Sequence, residues 1–196
     1  MAFADYQELV DKLVRAPGGT ESIATADRDA AIELARLRYS LDAERKLTED
    51  VVWLVDGYFG PLPESWVDGS YLVSAEFPIG EQPVSLIEME IYVSPTEQQL
   101  VNPDGLSAGD TVRVQFTAPH LLNAGDTPAD TIPARHREAV ASYAAHILCK
   151  QLATLFSGER DATINADQSN TESRARNFAF RSKDYRAAYY AGIGKA

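Results

Sequence analysis

The chain's 196 residues are enough for one domain with a hydrophobic core, or for one domain carrying a sizeable insertion. With 45% hydrophobic and 24% charged residues, its composition is that of a folded globular protein and excludes a disordered one. A net charge of −11 argues against a sequence-specific DNA binder, because such binding rests on clustered Lys and Arg displacing counterions from phosphates.

The charge is unevenly spread. Residues 1–120 hold 8 Lys/Arg against 21 Asp/Glu, whereas residues 121–196 hold 10 against 8. From Thr171 onward the count is 6 basic to 2 acidic. No apolar run approaches the ~20 residues needed to span a bilayer. The opening MAFADYQELV has acids where a secretory leader carries Lys or Arg, so a cytoplasmic protein is expected. Cys149, the single cysteine, lies in an apolar helical stretch and reads as a buried small hydrophobe.

In chain order, Phe3, Tyr6, Leu9, Val10 and Leu13 recur at helical spacing, and Pro17-Gly18-Gly19 stops that helix. A second helix is predicted from Thr25 to about Glu44, with Asp27 and Asp29 favoured by its dipole and Ala30, Leu34, Leu37 and Leu41 as its buried stripe. The period then changes to two. Val51, Trp53 and Val55 alternate with other residues, as do Ile87, Met89, Ile91 and Val93, and Val112, Val114 and Phe116. Turn signals separate these runs, among them Asp56-Gly57, Asp68-Gly69, Pro78-Ile79-Gly80, Asn102-Pro103-Asp104-Gly105 and Ala108-Gly109-Asp110. The segment reads as an antiparallel meander or small barrel-like sheet. Two helices follow. One has Thr131 at its cap and Pro133 in its first turn, carries Val140, Ala144, Ile147/Leu148, Leu152 and Leu155, and is closed by Gly158. The polar stretch 158–170 lacks the apolar content to order itself. Beyond it, Ser169 and Glu172 have capping-box spacing for a last helix with Ala175, Phe178, Tyr185 and Tyr189 on its face.

The expected fold is therefore α+β: a four-helix bundle domain interrupted by an antiparallel β-insertion. Residues 1–46 and 121–196 each supply a helical pair to one domain, and residues 47–120 form the insertion.

Few residues are arranged to carry chemistry. His120, His136 and His146 have no metal-ligand spacing, and His146 with Cys149 lacks a second pair to complete four zinc ligands. Glu88 and Glu90, at i and i+2, lie on one face of a predicted strand, the solvent side opposite Ile87, Met89 and Ile91. Asp161 and Asp167 lack the spacing of a calcium loop and read as turn residues. No serine sits in a nucleophile elbow, and Gly18-Gly19 ends a helix instead of opening one toward a phosphate. No cofactor, metal or catalytic group is expected.

Several strings in a fixed order carry a resemblance. RDAAIELARLRYSLDAER precedes a strand, then come LPESW, EFPIGEQP, IYVSP, a strand into FTAPH, TIPARHREAVASYAAHILCKQLA, and DATINADQSNTESRARNFAFRSKDYRAAY. Over nearly its whole length the chain resembles the head-to-tail adaptor (connector) proteins of long-tailed bacteriophages. The resemblance implies a ring, usually of twelve copies, docked beneath the portal protein at the head–tail junction of the virion. The ring extends the DNA channel and presents a platform to the head-closure or tail protein below. The family has no catalytic residues to carry over. AYYAGIGKA is shorter than the inserting tail of relatives. Twelve copies at −11 would place about −132 formal charges around the DNA, which would pass through the lumen without specific binding. The basic last helix would then meet the portal. Arg186 is its charged candidate, and Tyr189, Tyr190 and Ile193 are candidate anchors, since adjacent tyrosines cannot both face one helical core. The alternatives are another neck component (a head-closure or tail-terminator protein), a carboxylate-dependent glycan hydrolase using Glu88 and Glu90, and a small bacterial interaction module.

Overall fold

The computed structural model describes residues 3–15, 23–123, 130–157 and 174–195. The features predicted at Pro17–Gly19, Asp161, Asp167, Ser169 and Glu172, and across the polar stretch 158–170, lie outside the described residues. The described part is α+β, with four α-helices and antiparallel strands. It divides into two compact units: Met1–Ala43 with His120–Ala196, and Glu44–Pro119.

The helical unit is built on one central helix. α3 (Arg137–Ser157) packs against α1 (Phe3–Val14), α2 (Thr25–Asp42) and α4 (Arg174–Gly192). Its first half is rich in small residues. Ala139, Ala141, Ala144 and Ala145 are all buried, so neighbouring helices come close. At Gly192 of α4 the approach is tight: an added Cβ would lie 2.8 Å from the Ala139 Cβ. α1 buries Tyr6, Val10 and Val14, and Phe3, Leu9 and Leu13 pack at the margin of the same core. The Tyr6 hydroxyl donates to Asp130 Oδ2 at 3.1 Å, and Arg137 lies 2.9 Å from that oxygen as its ion-pair partner.

Three helical expectations need correction. α2 buries Ala31, Ile32, Ala35 and Tyr39, and the leucines predicted as its core stripe face out. Leu34, Leu37 and Leu41 are 51%, 45% and 76% exposed, and Ala30 is exposed with them. Small Ala31 and Ala35 match the alanine surface of α3 better than branched leucines would. Leu155, placed on the α3 stripe, is also exposed. Thr131 does not cap α3. Its hydroxyl accepts the Leu121 N–H at 2.8 Å, and a 3₁₀ turn at Ala134–His136 precedes the helix.

The second unit holds two antiparallel sheets. One has the order β1 (Arg45–Val52), β7 (Thr111–Ala118), β3 (Tyr71–Glu76), β4 (Leu86–Ile87); the other is β2 (Gly57–Gly60), β6 (Gln98–Leu106), β5 (Glu90–Val93). The order is not a meander, because the first strand pairs with the last, Arg45 opposite Ala118 and Val52 opposite Thr111. Val51, Trp53, Ala75, Leu100, Val112, Val114, Phe116 and Ala118 form its core. β1 ends one residue before Trp53, whose ring fills the centre while its Nε1–H donates to Gly57 O at 3.1 Å. Val55 is 68% exposed and lies beyond the strand. Gly60 is required there, since a Cβ would sit 2.2 Å from the Trp53 ring. Asn102-Pro103-Asp104-Gly105 turns out to lie within β6, where the register against β2 slips between Phe59↔Val101 and Gly57↔Leu106. Gly105 takes a φ of +73°, and the buried Asn102 side chain accepts the Asp104 N–H and donates to Glu88 O.

Candidate functional site: the C-terminal helix and the groove beside it

α4 carries the basic residues that set this end of the chain apart. It docks on α3 through Phe178, Ser182 and Tyr189, each at most 5% exposed. Ser182 is tied to His146 of α3. The His146 Nδ1 lies 2.8 Å from the Ser182 carbonyl, which can only accept, so that nitrogen carries the proton; the Ser182 hydroxyl donates in turn to His146 O at 3.1 Å. Burial holds this imidazole below its ordinary pKa; the hydrogen bond to Ser182 works the other way, and Arg186 and Lys150 add to the lowering. His146 is thereby a neutral structural link between the helices.

Along this seam runs an open groove of about 610 Å³. Lys150 and Thr154 line it from α3, and Arg176, Lys183 and Arg186 line it from α4; none of its lining residues is a carboxylate. Four cations converging on a chain of net charge −11 create a local field opposite to that of the rest of the molecule. Sequence reading found the arginines and lysines of α4 but missed Lys150. It lies 26 residues before Arg176, and only the α3–α4 packing brings it alongside.

Of the four candidate contact residues, the fold separates one. Tyr189 is fully buried, its hydroxyl donating to Asp42 Oδ2 at 2.8 Å and its ring 4.7 Å from that of Tyr143. Burial, together with the Asp42 carboxylate, drives its pKa far above the ordinary tyrosine value. Tyr189 is thus a core residue of the helical unit, and its assignment as an exposed anchor is corrected. Tyr190 is half-buried, with Arg38 Nη2 donating to its hydroxyl at 3.3 Å and the Arg186 guanidinium 5.8 Å from its ring centre. Ile193 is half-buried, and Arg186 is exposed in the groove. The last turn is held by backbone: Gly194 at φ +75° lets Lys195 N–H return to Tyr190 O at 2.9 Å.

The paired carboxylates do not form the unit their spacing predicts. Ile87 ends β4 in one sheet and Glu90 opens β5 in the other, so Glu88 falls in the break between them. Both side chains are exposed. Elsewhere, His120 Nε2 lies 2.9 Å from Ala43 O, and His136 Nδ1 lies 2.6 Å from the Tyr39 hydroxyl. Among the described residues, no three His, Cys, Asp or Glu side chains group to hold a metal ion. Cys149 is buried, and that burial pushes its thiol up to about 11. No helix is long and apolar enough to cross a membrane among those described.

No family model matches the chain, and no curated protein matches it. Among solved structures it is similar to a chain in the neck of an empty GTA particle, at 13% identity and a TM-score of 0.31, over 88% of this chain and 87% of that one. A likeness of that size carries no argument about function.

Proposed function

We propose that this chain is a structural component of the neck of a tailed phage or phage-like particle, acting as the head-to-tail adaptor ring between the portal and the next neck or tail protein. The order of short strings along the sequence supports this reading, but one structural observation carries it: the partition of charge between the two units. Glu44–Pro119 holds thirteen carboxylates against three basic residues, so −10 of the chain's −11 resides in the β unit. The helical unit is close to neutral, and four of its fifteen Lys and Arg residues line the α3–α4 groove with no carboxylate among them. A molecule that surrounds DNA without gripping it needs acidic surface toward the duplex and a separate, oppositely charged surface toward its protein partner. In this proposal the groove, with Arg186 at its rim and Tyr190 and Ile193 beside it, orients the subunit on the portal. The role is structural, and Glu88 and Glu90 contribute to the acidic surface.

The test uses heads that carry portal but lack this protein. Purified chain added to them should bind to a fixed number of copies per head and restore tail attachment. Absence of saturable binding at every salt concentration tried would overturn the proposal.

A further inference from the structure

The two sheets of the β unit part where a strand stops early. β3 pairs with β7 from Tyr71 to Glu76, but on its other side β4 covers only Ala75 and Glu76, opposite Ile87 and Leu86. The same antiparallel register would set Glu88 against Ser74 and Met89 against Val73. Instead, the Asn102 side chain donates to Glu88 O at 2.9 Å, and by Glu90 the chain has joined β6 of the other sheet. Among the described residues, no strand pairs with that side of residues 71–74. β5 is itself the edge of its sheet and pairs with β6 alone. An open cleft of about 560 Å³ lies at the parting, lined by residues 72–75 and 86–91.

Both strands that border this cleft therefore offer it an edge, and a row of unpaired backbone N–H and C=O groups is a template for an added strand. The uncovered part of β3 alone is about 13 Å long, at roughly 3.3 Å per residue. Two kinds of side chain line the cleft. Leu72, Ile87, Met89 and Ile91 are half-buried against the core of the β unit, whereas Glu88 and Glu90 are exposed. No cation offsets those carboxylates from the neighbouring strands. Between Lys46 and Arg113 the sequence has twelve Asp and Glu and no Lys, Arg or His. Arg113 itself is held by Asp50 at 2.8 Å, with Glu76 at 3.8 Å.

We infer that this cleft is a strand-addition site for an extended segment of a partner protein, in which apolar residues alternate with Lys or Arg. A strand turns successive side chains to opposite faces, so one set packs on Leu72, Met89 and Ile91 while the other meets Glu88 and Glu90. Backbone pairing supplies the affinity, and the carboxylates select the partner. A slot with a strand on each side admits a lone extended segment, not the edge of a second folded sheet. Strands 2 to 6 of another copy would moreover bring only carboxylates to it. Nucleic acid is repelled by the same charge. The site stands apart from the neck reading, which concerns the groove of the helical unit.

The test titrates the full chain with a fluorescein-labelled heptapeptide of alternating Val and Lys, and with the same peptide N-methylated at its lysines. Methylation keeps every charge and removes backbone donors. The unmodified peptide should bind saturably, one per chain, and slow amide exchange within residues 71–74 and 90–93. The methylated peptide should bind roughly tenfold more weakly, or not at all. Glu88→Lys with Glu90→Lys should keep the wild-type melting temperature and weaken the unmodified peptide by roughly tenfold. Equal binding of the two peptides would reduce the contact to charge and overturn the inference. Protection confined to the open edge of β1, or no saturable binding, would overturn it as well. Protection of residues 71–74 that rises with protein concentration, with no peptide present, would give the cleft to a second copy and refute the choice of partner.

Discussion

Replacing Tyr189 with Phe distinguishes a core residue from a docking anchor. The change keeps the ring that packs on Tyr143 and removes only the hydroxyl donated to Asp42 Oδ2 at 2.8 Å. Asp42 is 9% exposed and keeps Arg38 at 2.7 Å and Lys195 at 3.4 Å, so it stays ionised but loses one donor. A hydrogen bond to a buried charged acceptor is worth about 2 kcal/mol, which moves the melting temperature of a domain this size by about 5 °C. Burial pushes the Asp42 pKa upward, but the bonds from Tyr189 and Arg38 outweigh it and leave the carboxyl below the ordinary aspartate value. A depressed folded pKa contributes stability that is complete above the unfolded value, about 4, and is lost as pH falls through the folded one. The gap between wild type and Tyr189→Phe should accordingly be full at pH 7 and shrink in acid. Circular dichroism melts at pH 7 and pH 3 measure both quantities. A variant that melts like wild type yet no longer binds heads would refute the reasoning, because Tyr189 would then act outside the fold. By the same logic, truncation from Tyr189 onward should unfold the helical unit instead of yielding a trimmed subunit.

Four further outcomes are expected. Gly60→Ala should destabilise the β unit by about 3 kcal/mol in urea titration, because the new methyl meets the Trp53 ring at 2.2 Å; near-wild-type stability would contradict the packing. Cys149 should resist thiol reagents at pH 8 until the protein unfolds, since it is buried and titrates near 11, so rapid labelling of native protein would be inconsistent with the core. Arg186→Glu should leave the melting temperature unchanged, slow association with portal-bearing heads by roughly tenfold at low salt, and flatten the salt dependence; unchanged kinetics would place the contact elsewhere. Glu88→Gln with Glu90→Gln should leave particle assembly intact in a complementation assay, and loss of a measurable turnover in that variant would reopen a catalytic role.

Where sequence reading succeeded, local pattern and tertiary context agreed. Tyr6 and Val10 of α1, Val112, Val114 and Phe116 of β7, and Phe178 of α4 all take the sides their spacing predicts. It failed on α2, where two apolar sides compete and the larger residues look more like core. The partner helix α3 decides the matter, because its buried alanines leave room for Ala31 and Ala35 while Tyr39 packs on His120 and His136, and the leucines stay outside. The run 86–93 reads as one strand because Ile87, Met89 and Ile91 stay half-buried while Glu88 and Glu90 stay exposed across the break. Burial alternation survives a change of sheet, so periodicity could not reveal it. The basic groove was half legible: α4 shows its charges in sequence, but Lys150 joins them only through packing.

The pairing of β1 with β7 bears on how the chain folds. The helical unit is interrupted between Ala43 and His120, and holding those residues together with the intervening segment unfolded costs about 4 kcal/mol of loop entropy. Arg45 opposite Ala118 closes that loop from within, because the β unit brings its own two ends side by side. Once those strands have zipped, α2 and α3 behave as neighbours along the chain, and the four helices can assemble as rapidly as an uninterrupted bundle. The insertion therefore serves as an internal splint, and kinetic traces should show β-unit formation preceding burial of the helical core.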